Sequence, residues 1–66
     1  MTLASLTGRR TPEVLNVLAT AQANSGQYLA AAATAAEALQ LARRQGNSAL
    51  ASELERRVAV YGARAQ

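Results

Sequence analysis

Mostly small residues recur at helical spacing on both sides of one predicted turn, and this pattern constrains the fold more than any other feature. The predicted turn is the segment Asn24-Ser25-Gly26-Gln27. The pattern comprises Leu15, Leu18 and Ala19 before the turn, Gly26 and Tyr28 at it, and Ala31, Ala35 and Ala38 after it. Residues three or four positions apart share one face of a helix, and small side chains let two helices approach closely. The sequence therefore predicts a closely packed helical hairpin.

The first helix of this hairpin has clear start and stop signals. Thr11 can accept a hydrogen bond from an unpaired amide, Pro12 suits the first helical position, and Glu13 complements the positive end of the helix dipole. Gly26 is expected to end the helix at about Ser25. Residues 1–10 lack a developed apolar stripe and are predicted to be weakly structured, so the predicted domain covers residues 11–66.

Two further helices follow, and together they predict an all-α fold. The alanine-rich segment 28–45 favours a second helix because alanine is the best helix former, and Gly46 is expected to end it. A third helix is predicted from Asn47 or Ser48 to Gly62 or slightly beyond. Its apolar stripe consists of Leu50, Leu54, Val58 and Tyr61. Short connections make neighbouring helices antiparallel, which predicts a hairpin followed by a third packed helix.

Residues 12–45 resemble one tetratricopeptide repeat, a family of helical hairpins that stack into α-α superhelices. The matching positions are Leu15, Leu18, Ala19, Gly26, Tyr28, Ala31, Ala38 and Leu39. The chain departs from the family pattern at three places, with Gln22 for the usual tyrosine, Ala35 for an aromatic and Arg43 for a proline. The first two departures remove bulk from the interior, so the helices are expected to come closer or to leave room for a neighbour. A three-helix bundle of another kind is the alternative reading of the alanine run.

A wider resemblance covers nearly the whole chain. The segment Leu6-Thr7-Gly8-Arg9-Arg10 and the residues that follow it resemble the end of long bacterial tetratricopeptide proteins. In those proteins the last repeat is followed by a polar-faced helix that closes the array. The resemblance implies that the third helix is such a C-terminal capping helix. Its outward positions would be Glu53, Glu55, Arg56 and Arg57.

The resemblance also implies a site for a peptide ligand, because the family binds peptides in a concave groove lined by the first helix of each hairpin. The matching candidates are Glu13, Asn16, Thr20, Ala23 and Asn24. Asparagine side chains both donate and accept hydrogen bonds, so they can hold a peptide backbone. None of these positions is basic, which predicts that a clamp for a terminal carboxylate is absent. The alternative interpretation is a solvated polar face without a ligand.

A second apolar strip on the first helix predicts self-association. Val14, Val17 and Ala21 lie away from the predicted hairpin interior, and Val60 on the third helix is also expected to be exposed. Exposed apolar strips mark association surfaces, and a two-fold dimer is the commonest closed assembly. The alternative is that Leu3 and Leu6 fold back onto the strip. Association would also help a 66-residue chain that has no cysteine for disulfides and a thin, alanine-rich core.

Composition argues against several other classes of function. The doublets Arg9-Arg10, Arg43-Arg44 and Arg56-Arg57 invite a nucleic-acid hypothesis, but they lie on three separate segments, with no interleaved aromatic residues for base stacking. The chain has no histidine or cysteine and no glycine-rich phosphate loop, so neither an enzyme, a cofactor nor a metal is expected. No apolar run approaches the roughly 20 residues that cross a bilayer. A soluble protein is predicted, with the cytoplasm as the expected compartment.

These observations together predict a non-enzymatic protein–protein interaction or scaffolding module that self-associates and binds a peptide in the groove of its first helix. Two alternatives remain open at this point. One is a small basic nucleic-acid-binding helical protein. The other is a purely structural capping fragment of a longer tetratricopeptide array.

Overall fold

The computed structural model describes residues 11–66, which form three helices and no strand within that range. The helices are α1 (Pro12–Asn24), α2 (Tyr28–Arg44) and α3 (Ser48–Arg64). The all-α class and the hairpin are confirmed, and the observed helix ends lie within two residues of the predicted ones. The predictions about residues 1–10, including the fold-back of Leu3 and Leu6, fall outside the described residues.

Side-chain caps explain where α1 and α3 begin. The Thr11 hydroxyl oxygen accepts a hydrogen bond from the Val14 amide at 3.2 Å, as predicted. The Asn47 side-chain oxygen accepts one from the Leu50 amide at 3.3 Å, so Asn47 rather than Ser48 is the cap of α3. Gln27 precedes α2 without a side-chain cap among residues 11–66. Helix α2 therefore depends on its alanine content and its packing.

The two interhelical turns have the same geometry, twenty residues apart. Gly26 and Gly46 adopt positive φ angles of 83° and 73°, the left-handed conformation in which glycine is favoured. In each turn, the amide after the glycine donates to the carbonyl five residues earlier, and the glycine amide donates to the carbonyl three residues earlier. The first turn has Gln27 N to Gln22 O at 2.8 Å and Gly26 N to Ala23 O at 2.9 Å. The second has Asn47 N to Ala42 O at 2.9 Å and Gly46 N to Arg43 O at 3.1 Å. Both are Schellman motifs.

Helix α2 lies between the other two helices and supplies most of the core. It packs extensively against both α1 and α3, which touch each other at only a few positions. Its fully buried side chains are all alanines: Ala31, Ala35, Ala38 and Ala42. Helix α1 contributes Leu15 and Ala19, and α3 contributes Ala51, Leu54 and Tyr61. The predicted stripe of α3 is confirmed, since Leu50 and Val58 pack against the same core.

Leu18 differs from the prediction, because it lies outside the hairpin interior with 46% of its surface exposed. The buried face of α1 is centred on Ala19, which is fully buried. Successive residues of a helix are rotated by about 100°, so Leu18 is turned away from α2. A contact made by alanines is narrow, and a large side chain at its edge stays outside.

Gln22 forms a hydrogen bond across the hairpin. The Thr34 hydroxyl on α2 donates to the side-chain oxygen of Gln22 on α1 at 2.8 Å. The bond joins α1 to α2 beside the alanine contact. The two helices of the hairpin are thus held by a polar link as well as by apolar packing.

Candidate interaction surfaces on α1 and α3

The first candidate surface is the outward face of α1, which consists of Val14, Val17, Leu18 and Ala21. Val14 is 46% exposed, Val17 69% and Leu18 46%, and Ala21 is also exposed. Val14, Val17 and Ala21 lie on the side of the helix opposite Ala19, which faces the core, and Leu18 lies at the edge of that side, about 100° from Ala19. Helix α1 is thus apolar on both sides, a pattern typical of helices that are covered on both sides.

This outward face carries no charge. Glu13 is the single charged residue of α1, and it stands in the first turn. Exposed positions of α3, in contrast, include Glu55 and Arg56. Covering the outward face of α1 would therefore remove apolar surface from water without desolvating a charged group.

The structure brings three of the four predicted self-association residues together and adds one. Val14, Val17 and Ala21 share the outward face of α1, and Leu18 joins them at positions i+4 from Val14 and i−3 from Ala21. This spacing in the sequence could have indicated that Leu18 belongs to the same face. Val60 is exposed as predicted, at 44%, but it lies on α3. There it lines an open depression of about 490 Å³ formed by residues of α3 alone.

The second candidate surface lies where α1 approaches α3, and Arg57 is at its centre. The guanidinium of Arg57 donates to Glu53 at 3.0 and 2.9 Å and to the Tyr61 hydroxyl at 3.2 Å. It also lies 3.5 Å from the hydroxyl oxygen of Thr20, whose hydroxyl donates to the Asn16 carbonyl at 3.0 Å. The hydrogen bonds to Tyr61 and Glu53 raise the pKa of Arg57 above its usual value. This polar network links the third helix to the first.

The structure adds two contacts around the predicted groove. A basic side chain, Arg57, approaches it from α3, although Arg57 was expected to point outward. Its partner Thr20 is 37 positions away in sequence, so inspection of the first helix alone could not find it. Ala23 was predicted to line the groove, but it packs against the hydrophobic core.

The other groove candidates are divided. Glu13 and Asn24 are exposed. Asn16 is half-buried, and its side-chain oxygen is buried without a hydrogen-bond partner in the part of the chain that the structure describes. A buried acceptor without a donor destabilises the folded state. Two groove candidates therefore stand out: Asn16 for its buried, unpaired side-chain oxygen, and Thr20 for its contact with Arg57.

The arginines are distributed over separate contacts. Arg43 on α2 forms an ion pair with Glu55 on α3. Arg57 pairs with Glu53, and the Arg64 guanidinium lies 5.8 Å from the ring centre of Tyr28. A nucleic-acid surface needs several cations on one face, whereas these contacts connect arginines to partners in different places. Within the described residues, these arginines therefore take part in contacts that hold the fold together, and they do not form one basic face.

Searches for other kinds of site within residues 11–66 found neither a cluster of acidic residues suited to a metal ion nor a helix long and apolar enough to span a membrane. No protein-family model matches the chain, and comparison with curated proteins and with solved structures found no match. Its candidate surfaces are therefore interpreted from their own chemistry.

Proposed function

We propose that this chain is a non-enzymatic protein-interaction module that self-associates through the outward face of α1. In this proposal the hairpin of α1 and α2 corresponds to one tetratricopeptide-like repeat, and α3 serves as its capping helix. The observation that carries the proposal is the exposure of Val14, Val17 and Leu18 on one uncharged helix face. Contiguous apolar patches of this kind mark association surfaces in soluble proteins.

The thin core supports the same proposal. Four of the nine core residues belong to α2 and all four are alanines, which bury little area each. Covering the outward face of α1 would add three larger side chains to the buried surface. One 13-residue helix makes a small interface, so we expect a dissociation constant on the order of tens of micromolar.

The test is sedimentation or light scattering over a concentration series that spans the expected dissociation constant. Wild type is expected to shift from monomer to a larger species, and Val17→Glu is expected to stay monomeric because it buries a charge at the interface. Gln40→Glu is the matched control, since it adds the same charge at an exposed position of α2. Circular dichroism of each variant separates loss of association from loss of helix. A wild type that stays folded and monomeric throughout would contradict the proposal.

A second candidate function is peptide binding beside Arg57, and the unpartnered side-chain oxygen of Asn16 favours it. A rotation of this side chain would offer its oxygen to the backbone amide of an extended peptide, next to Thr20 and Arg57. Titration of ¹⁵N-labelled protein with short unstructured peptides, with free or amidated carboxyl termini, tests this function. Shift changes confined to Asn16, Thr20 and Arg57 would support it, and changes spread over the whole chain would not.

A further inference from the structure

We propose that the partner of the outward face of α1 is the same face of a second copy, that the two helices pair antiparallel, and that assembly stops at two. The inference rests on the proposed self-association and names its partner, geometry and size. The inference follows from three observations: the face lacks charge, the order of its residues is symmetric, and the other exposed surfaces offer no second face of the same kind.

The lack of charge selects the second copy's own α1 as the partner. If the outward face of α1 packed against the exposed side of α3 in another copy, the Arg56 guanidinium and the ion pair of Glu55 with Arg43 would be brought next to valine and leucine side chains. Removing charged groups from water is costly even where they are paired. Two outward faces of α1 packed together bury apolar side chains only.

The order of the residues is symmetric in a way that matches an antiparallel pair. Val14 and Val17 are three positions apart, and so are Leu18 and Ala21. A two-fold axis perpendicular to the helix and centred between Val17 and Leu18 therefore places Val14 opposite Ala21 of the second copy. The same axis brings Val17 next to Val17 of the second copy, and Leu18 next to Leu18. Each larger side chain at one end of the face then meets a small one, which fills space evenly.

A parallel pair of the same helices fits less well. It would place Val14 opposite Val14 and Ala21 opposite Ala21, so one end would be crowded and the other would lack contacts. It would also place the two Glu13 carboxylates at the same height along the helix axis, which increases the repulsion between these like charges. In the antiparallel pair, the two Glu13 positions are separated by about 13 Å along the helix axis, from the rise of about 1.5 Å per residue.

The other surfaces of the molecule indicate that assembly stops at two copies. A symmetric pair uses the same face on both molecules, so growth would require a second apolar face. The remaining exposed large apolar residues of the described part are Leu29 on α2 and Val60 on α3, one on each helix. The exposed side of α3 carries Ser52, Glu55 and Arg56 besides Val60, so it offers no second uncharged apolar face.

Single cysteine variants test this geometry, because the natural chain contains no cysteine. A disulfide needs Cα atoms within about 7 Å. Under mild oxidation, Val17→Cys is expected to form a disulfide-linked dimer and Val14→Cys alone is not, because its two Cα atoms would be about 10 Å apart along the helix axis. A mixture of Val14→Cys and Ala21→Cys is expected to form the mixed dimer. Gln40→Cys, at an exposed position of α2, measures random collision.

The outcomes separate this inference from the proposal on which it rests. Disulfide formation by Val14→Cys alone would show a parallel pair, because only that geometry places the two copies of position 14 level with each other, and it would overturn the inference while self-association stands. Species larger than a dimer in sedimentation of the wild type would overturn the closed assembly alone. A wild type that is monomeric in sedimentation would overturn both. The expected result is a dimer by sedimentation in which Val17→Cys, and the mixture of Val14→Cys with Ala21→Cys, link at least tenfold faster than Gln40→Cys, while Val14→Cys alone does not.

Discussion

Arg57 on α3 lies 3.5 Å from the hydroxyl oxygen of Thr20 on α1, and it joins two helices that otherwise touch at few positions. The guanidinium is held for this contact by Glu53 and Tyr61, each one helical turn away from it on α3. The Arg57 guanidinium thus contacts three partners on two helices. These contacts link α3 directly to α1.

Arg57→Ala is expected to lower stability by about 1 kcal/mol, because several hydrogen bonds to one half-exposed charged group are lost. Arg56→Ala is the matched control, since the neighbouring arginine is exposed and its removal is expected to change stability by less than about 0.5 kcal/mol. Urea denaturation followed by circular dichroism measures both variants. Equal effects of the two substitutions would argue against a linking role for Arg57.

Ala35→Leu is expected to destabilise the fold by about 1–3 kcal/mol, because Ala35 is fully buried at the helix contact and a larger side chain forces the helices apart. Ala33→Leu, two residues away on the exposed side of α2, is expected to be nearly neutral. Thermal denaturation of the pair compares the two positions at identical chemistry. A stabilising Ala35→Leu would mean that the hairpin interior has unfilled space.

Substitution by alanine is expected to raise the stability of the fold at Gly62 and to lower it at Gly46. A Cβ at Gly62 would meet nothing within 4 Å, so Gly62→Ala is expected to stabilise α3 by about 0.5–1 kcal/mol. Gly46 also has open space, but its φ of 73° strains any other residue, so Gly46→Ala is expected to cost about 1 kcal/mol. Denaturation midpoints that move in the same direction would contradict this assignment.

Asn47→Ala is expected to cost about 1 kcal/mol, because it removes the side-chain acceptor that caps α3. Gln27→Ala tests the matching position before α2, where no side-chain cap was found, and is expected to have little effect on stability. Hydrogen exchange of the amides in the first turn of α3 locates the effect. Faster exchange there in Asn47→Ala, with the α2 amides unchanged, is the expected pattern.

Most of the fold could be predicted from local signals, because caps and glycine turns act over a few residues. Thr11 and Asn47 supply hydrogen-bond acceptors to the next turn, and Gly26 and Gly46 allow the left-handed conformation that ends a helix. The candidate site was harder to predict. Val14, Val17 and Ala21 were found from their spacing, whereas Leu18 was placed on the wrong side of α1.

The sequence by itself determined three helices, their order and the alanine face of α2, since helix formation and close approach depend on residue type and spacing. Only the tertiary structure decided that Leu18 lies outside the contact between α1 and α2 and that Arg57 on α3 reaches Thr20 on α1. The first outcome depends on how narrow the contact between α1 and α2 becomes when alanines form it. The second depends on the angle at which α3 returns past α2 toward α1. Both are properties of packing between helices. Spacing within α1 is compatible with Leu18 on either face, and it carries no information about the contact between Arg57 and Thr20.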